Sequence, residues 1–383
     1  MKSVHLVIPD LFLPQDIAAG VCADLRLPAM EKLLARGAVM QLADPTTKPL
    51  VLSPSTSSGQ APRSGVEGSG RTDSVAGSGA STGSARTGGL GITLENYLCE
   101  LFGVTSSGDA PVASISAAFD GLQEGFWLRA DPVHLRLQRD QMLLIPNVDI
   151  SADEAKQVCA SLNEHFTGQG MEFVASHPLR WYVRFDHAPD IETVPISQAY
   201  GRNVHGLLPR GSAGARWHKL RNEIQMLLHA HPLNEARESR GALAINSVWL
   251  WGGGELMSKL EKNYDCASSD EILVEMLAAA ADTPFTTWPE RWNEDSGEGR
   301  KLLVWIGLRS ALQRGDLAAW RDSLQEFETN YAQPLWQALR SGRITQIQLD
   351  IPSADRTRRV LLKRSDTFAF WRRIRRMVEY TLV

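Results

Sequence analysis

The sequence has little cysteine and no histidine beyond His231. Its four cysteines, Cys22, Cys99, Cys159 and Cys266, lie far apart and form no CxxC pair. That excludes a recognisable zinc or redox motif and fits buried thiols in a reducing, cytoplasmic setting. No apolar run approaches the roughly 18 residues a bilayer span needs, which excludes a membrane helix. The opening Met-Lys-Ser-Val-His-Leu-Val-Ile reads as a short apolar strand in preference to a secretory signal. Charge of one sign is missing as well. A net charge of −4 over 383 residues, 43% of them hydrophobic and 22% charged, describes an ordinary globular chain and no general polyanion binder.

What is present is an alternating pattern. Val4–Pro9 is a β-branched run ending at Asp10. Leu27–Arg36, opened by Pro28 and closed by Gly37, predicts a helix, and Ala38–Leu42 a following strand. Together they predict the start of a βαβ-type sheet. Residues 52–91 differ in kind: Ser, Gly, Thr and Ala dominate, and so little apolar surface cannot offset chain entropy, which predicts a disordered insertion. It is not a phosphate loop, because no Lys-[Ser/Thr] follows a properly spaced glycine frame.

A helix is expected over Thr93–Phe102 and a strand over Pro111–Ala118. Residues 120–210 read β-β-α-β-β, with Ser151 and Glu154 as a capping box for a helix over Ser151–Phe166. The pattern predicts a small α+β domain inserted into a core made of residues 1–119 and 211–383. The core is expected to resume with a helix over 215–230 and a strand over 244–251. Strands over Leu302–Ile306 and Ile344–Asp350, a long helix over Leu317–Leu339 and an arginine-rich helix over Ser365–Val383 follow. Among eleven tryptophans, the clusters Trp249/Trp251 and Trp288/Trp292/Trp305 read as core anchors in preference to a stacking platform.

Residues 217–254 concentrate the polar chemistry. An amphipathic helix, a polar loop and a buried strand ending in three glycines bring His231, Asn234, Arg237 and Asn246 toward one strand end, where open α/β sheets bind ligands. In the insert, Arg129, Asp131 and His134 form a candidate anion site, with Asp131 and His134 as a candidate pair. Arg180 is a candidate for carboxylate or phosphate recognition. Hydrogen-bonded turns and solvated strand faces are the plainer readings of these four. The C-terminal arginines, interleaved with Phe368, Phe370 and Trp371, offer a surface for nucleic acid, against the plainer reading of a solvated helix face.

Asn222-Glu223, the run His231-Pro232-Leu233-Asn234-Glu235-Ala236-Arg237, Gly241 and the stretch Asn246 to Gly252 resemble the archaeal-type, cofactor-independent phosphoglycerate mutases of the alkaline-phosphatase superfamily. Ile8-Pro9-Asp10 and Leu27–Gly37 are similar to that family's first strand and helix. The whole pattern resembles most the bacterial RpfE-type regulatory proteins. The resemblance covers residues 1–50 and 93–255. It implies an alkaline-phosphatase-like α/β core, a mostly parallel sheet flanked by helices. It also implies two Mn or Zn ions in a cage of Asp and His ligands that activate a Ser or Thr for phosphoryl transfer. Asp10 matches the first metal carboxylate, and Asp350 the carboxylate of an Asp-His pair after the last strand.

The departures from the family are as informative. The nucleophile should follow the second strand, where this chain has its Ser/Gly insertion; Ser53, Ser55, Thr56, Ser57 and Ser58 stand there without a convincing frame. The later imidazoles are missing: Gly307-Leu308-Arg309-Ser310 follows one strand and Ile351 follows Asp350. The expectation is a mutase-like pseudoenzyme without a cofactor, with Asp10 and Asp350 as remnants. It would bind a small phosphorylated or anionic metabolite or a protein partner and act in regulation. The rivals are an active mutase or phosphatase using Mn or Zn through rearranged ligands, and a nucleic-acid-associated protein acting through its basic C-terminus.

Overall fold

The computed structural model describes residues 2–43, 93–104, 109–145, 148–211, 214–253, 260–293, 299–353 and 356–381. The insertion expected at 52–91 and the serines and threonine considered as nucleophiles lie outside them. In chain order the strands are β1 (Ser3–Val7), β2 (Ala38–Ala43), β3 (Phe126–Gln138), β4 (Gln141–Ile145), β5 (Met171–His177), β6 (Arg180–Phe185), β7 (Ser247–Trp251), β8 (Cys266–Ser269), β9 (Phe285–Thr287), β10 (Arg300–Val304), β11 (Gln346–Pro352) and β12 (Arg356–Lys363). The helices are α1 (Gln15–Val21), α2 (Pro28–Arg36), α3 (Leu94–Leu101), α4 (Val112–Phe119), α5 (Ala152–His165), α6 (Ile196–Ala199), α7 (Gly214–His229), α8 (Pro232–Ser239), α9 (Ile272–Ala280), α10 (Arg309–Gln313), α11 (Leu317–Phe327), α12 (Gln333–Ser341) and α13 (Met377–Thr381).

The larger sheet has the order β2-β12-β11-β1-β10-β8-β9. Its strands β11, β1, β10, β8 and β9 are parallel, and β12 runs antiparallel between β11 and β2. The central strands are apolar on both sides because both faces are covered. One face, with Leu6, Ile8, Leu303 and Leu349, packs on residues of α2, α11 and α12. The other, with Val7, Leu302 and Val304, packs on α3, α4 and α9. The long helix expected at 317–339 is continuous through a π-helical turn, Glu328–Ala332. Buried Glu328 accepts from the backbone N–H groups of Ala29 (2.7 Å) and Met30 (2.9 Å). It thereby caps α2, which has no side-chain cap of its own and whose N-terminus favours a carboxylate.

The smaller sheet is antiparallel, ordered β4-β3-β6-β5 with β7 also paired to β3. The β-β-α-β-β reading of 120–210 corresponds to β3, β4, α5, β5 and β6, and α5 carries the expected capping box between Ser151 and Glu154. Strand 244–251, expected in the core, instead joins this sheet: Arg129–Val133 pair with Ser247–Trp251. Every residue of β7 is buried, so the sequence offers no alternation that would tell which sheet claims it.

Four further expectations are corrected. Ala38–Leu42 is a strand, but it lies at the sheet edge with β12 and β11 between it and β1. Pro111–Ala118 is not a strand; Val112–Phe119 is helical, a run of small residues packed between α9 and β3, and short apolar runs do not reveal their period. The polar loop after His231 is the helix α8, started by Pro232 at its first turn. Ser365–Val383 is not one helix. A 3-10 turn, Arg364–Phe368, and the short α13 flank an irregular stretch, since Arg372, Arg373, Arg375 and Arg376 would repel one another at three- and four-residue spacing.

Candidate functional site

His231, Asn234, Arg237 and Asn246 of the run 231–246 are each used by the scaffold. His231 caps α8: its Nδ1 accepts from the Leu233 N–H at 3.2 Å, which leaves Nε2 to donate to Ser161 Oγ at 2.9 Å. Asn234 donates from Nδ2 to the carbonyls of Leu228 (2.7 Å) and Ile245 (2.8 Å), and its Oδ1 accepts from the Ile245 N–H (2.9 Å). The Arg237 side chain is fully buried. It donates to the Leu243 carbonyl at 2.9 Å, the Asp149 carbonyl at 2.5 Å and both Glu154 oxygens at 3.1 Å. Burial works to raise the Glu154 carboxyl, but the Ser151 amide, Arg240 and Arg237 bring it down to about 2. Asn246 bridges to β3, accepting from the Leu135 N–H (2.7 Å) and donating to its carbonyl (2.9 Å). It stands at the entry to β7, away from the glycine end.

The insert residues divide. His134 Nδ1 donates to the Ala244 carbonyl at 2.8 Å and forms no pair with Asp131. Arg180 makes a two-pronged pair with Asp120 at 2.7 and 2.5 Å, to which Tyr182 also donates at 2.6 Å. Arg129 and Asp131 do face a cavity. Arg129 grips Asp131 at 2.7 and 3.1 Å and lies over the rings of Tyr182 (5.5 Å) and Trp251 (5.2 Å). Trp251 Nε1 donates to the other Asp131 oxygen at 2.7 Å.

That cavity, about 300 Å³, lies beyond the carboxyl ends of β8 and β10, between them and the smaller sheet. Its polar lining includes Arg129, Asp131, Glu95, Glu271 and Arg309, set among Leu98, Met276 and other apolar side chains. Sequence reasoning missed Glu95, Glu271 and Arg309 as a group, because three separate chain segments bring them together. Glu95 is buried, and its Oε2 has no hydrogen-bond partner. Glu271 accepts from the Leu273 N–H at 3.2 Å, and burial, with Glu95 nearby, raises its carboxyl above the usual range. Arg309 donates to Asp10 at 3.2 Å.

The two carboxylates matched to metal ligands have other partners. Asp10 sits in the left-handed region (φ 60°) just past β1, where it meets Arg309. Asp350 is fully buried within β11 and receives Tyr97 Oη at 2.5 Å, Arg359 Nη2 at 2.7 Å and Gln348 Nε2 at 3.0 Å, with His5 Nε2 at 2.8 Å. Burial opposes ionisation of Asp350, yet His5, Arg359 and Tyr97 hold its carboxyl well below the carboxylate range. Among the described residues no group of three or more His, Cys, Asp and Glu side chains is placed to hold an ion. A two-metal cage needs several anionic or imidazole donors around each ion. Here Asp10 and Asp350 each meet a guanidinium, Arg309 and Arg359.

No protein-family model matches the chain. Over 107 residues it is 27% identical to a 2,3-bisphosphoglycerate-independent phosphoglycerate mutase of Methanosarcina mazei, covering 27% of each chain. Over 62 residues it is 36% identical to a probable 2,3-bisphosphoglycerate-independent phosphoglycerate mutase of Geobacter sulfurreducens, covering 16% of each. Its homologues are cofactor-independent phosphoglycerate mutases. The matched part spans about a quarter of those curated relatives or less. The solved structure of the PH0037 protein from Pyrococcus horikoshii superposes with a TM-score of 0.50 at 12% identity, over 94% of this chain and 87% of that one, and shares its fold. The chain is thus a mixed α/β protein with a central sheet flanked by helices, and no described helix is long and apolar enough to cross a membrane.

Proposed function

We propose that this mutase-like protein keeps an alkaline-phosphatase-like core but works as a ligand-binding, regulatory protein of the RpfE type, without a dinuclear metal centre. The observation that carries the reading is the pairing of Asp10 with Arg309 and of Asp350 with Arg359. A guanidinium supplies the positive charge each carboxylate would otherwise share with an ion, and it cannot lower the pKa of a bound hydroxyl as a Lewis acid does. The ligand is a small phosphorylated or anionic metabolite. It engages Arg309 by displacing Asp10, whose side chain is 38% exposed, whereas the Asp131 side chain on Arg129 is 6% exposed. Glu95 and Glu271 add negative charge to the same cavity and disfavour an extended polyanion such as nucleic acid.

Thermal shift with 2- and 3-phosphoglycerate, run beside a mutase assay in added Mn or Zn, tests the reading. A rise in Tm without turnover, absent in Arg309→Met, is expected, since a ligand that binds the native state stabilises it. Metal-dependent turnover that disappears in Asp10→Ala overturns it in favour of an active mutase or phosphatase. The nucleic-acid reading rests on Arg373, Arg375 and Arg376, exposed beside Phe370 and Trp371, while other arginines named with them are engaged within the chain. Arg359 is bound to Asp350, Arg358 lies over Phe12 and Tyr380, and Arg372 donates to the Arg36 carbonyl.

A further inference from the structure

The Arg309 cavity carries more negative charge than its cations answer. Of the guanidinium groups on its lining, Arg129 is held by Asp131 at 2.7 Å and Arg309 pairs with Asp10 at 3.2 Å. Glu95 and Glu271 are left over, and among the described residues no lysine, arginine or histidine forms an ion pair with either. Arg309 acts on both through space, but its hydrogen bond goes to Asp10. Glu271 has a structural task, since it caps α9 by accepting from the Leu273 N–H at 3.2 Å. Glu95 has none of this kind. It stands in the first turn of α3, where Thr93 already supplies the cap by accepting from the Asn96 N–H at 3.0 Å. The helix dipole favours a carboxylate there, yet Glu95 is 7% exposed and its Oε2 has no donor.

We infer that the metabolite bound here is a zwitterion, an amino acid or its phosphate ester, with its anionic group on Arg309 and its ammonium group on Glu95. This zwitterion site rests on the reading of the cavity as one for an anionic metabolite, and it names the second group that ligand carries. A buried carboxylate oxygen without a donor is costly, so a ligand that brings one is rewarded. An ammonium group brings several N–H donors and a positive charge, which satisfies the bare oxygen and balances the surplus of carboxylates. A hydroxyl brings a single donor and leaves the charge unanswered. Glu271 strengthens the preference: burial and the neighbouring Glu95 both resist its ionisation, and a cation between the elements that carry them relieves the second effect. Leu98 and Met276 on the same lining keep water away, which strengthens each charged contact. A volume of about 300 Å³ suits a ligand of this size.

The test is titration of the full chain with 3-phosphoglycerate and with both enantiomers of O-phosphoserine, in which an ammonium group replaces the hydroxyl beside the carboxylate. Calorimetry and thermal shift at constant ionic strength follow the binding. The better phosphoserine enantiomer is expected to bind at least about tenfold more tightly than 3-phosphoglycerate, the scale of a charge-assisted hydrogen bond. Glu95→Gln keeps the shape of the side chain and removes its charge. In that variant the advantage should shrink to within about threefold, while the affinity for 3-phosphoglycerate stays the same or rises. Arg309→Met should weaken both ligands. Equal or weaker binding of phosphoserine by the parent chain overturns the zwitterion site, and 3-phosphoglycerate binding beside it leaves the anionic reading standing; that comparison needs no variant. An advantage that persists undiminished in Glu95→Gln overturns the assignment to Glu95. Saturable binding of neither ligand at millimolar concentration overturns the anionic reading and the zwitterion site together.

Discussion

The run 231–246 and the Arg309 cavity are both rich in charged and polar side chains, and they use them in opposite ways. In the run, His231, Asn234, Arg237 and Asn246 have partners inside the protein, mostly backbone groups of neighbouring segments. In the cavity, Glu95 keeps a bare oxygen, Glu271 is held at a raised pKa, and the Asp10–Arg309 pair is partly open to solvent. A polar cluster that satisfies itself is scaffold, whereas one left with spare bonding capacity is where a ligand adds something. Polarity along the sequence does not separate the two. Hydrogen-bond closure does.

Substitutions sharpen that contrast. Arg237→Met should have the largest effect, about 3–5 kcal/mol of stability in urea or guanidinium unfolding, because it empties a fully buried position, leaves the Leu243 and Asp149 carbonyls without this donor and leaves Glu154 with Arg240 as its remaining guanidinium. A loss under about 1 kcal/mol would place Arg237 with the open cluster. Asp350→Asn should cost about 3 kcal/mol by leaving Arg359 without its counter-charge inside the sheet, and Arg359→Met in the same background should recover part of it. For Asn234→Ala about 2–3 kcal/mol is expected, as Ile245 N–H and two carbonyls lose their partner.

Acid offers a different probe of the scaffold. Burial lowers the pKa of both His5 and His231, for His5 against the opposing pull of Asp350. The folded state therefore resists protonation, and the unfolded chain takes up protons first. The stability these two residues contribute is present above the unfolded value of 6.5 and declines as pH falls below it. Unfolding midpoints measured from pH 8 to pH 5 should fall over the acid half of that range. In His231→Asn, which keeps a capping oxygen, the decline should be shallower, and a profile identical to that of the parent chain would show that His231 takes no part. The smallest stability effect belongs to Arg309→Met, within about 1 kcal/mol because the pair is partly exposed. Its signature is loss of the phosphoglycerate-induced Tm shift.

Several elements were legible in the chain itself. Pro28 and Gly37 bracket α2, Ser151 and Glu154 build the box that starts α5, and the apolar runs of β1, β10 and β11 mark buried central strands. These signals act within a turn or two of backbone, so neighbouring residues suffice to specify them. Asp10 was likewise legible as a residue at a strand end. Its partner was not, because Arg309 lies 299 positions away and only the parallel pairing of β1 with β10 brings the two loops together.

Sequence alone thus determined where α2, α5 and the central strands β1, β10 and β11 lie, that the chain alternates helices and strands, and that no imidazole is available past His231. Tertiary structure decided that β7 joins the antiparallel sheet, that Pro111–Ala118 coils, and that three distant acids and two arginines share one cavity. Local order follows from backbone sterics and capping, which read only adjacent residues. Sheet membership and electrostatic partnership depend on which surfaces exclude water together, and that is settled when the whole chain packs.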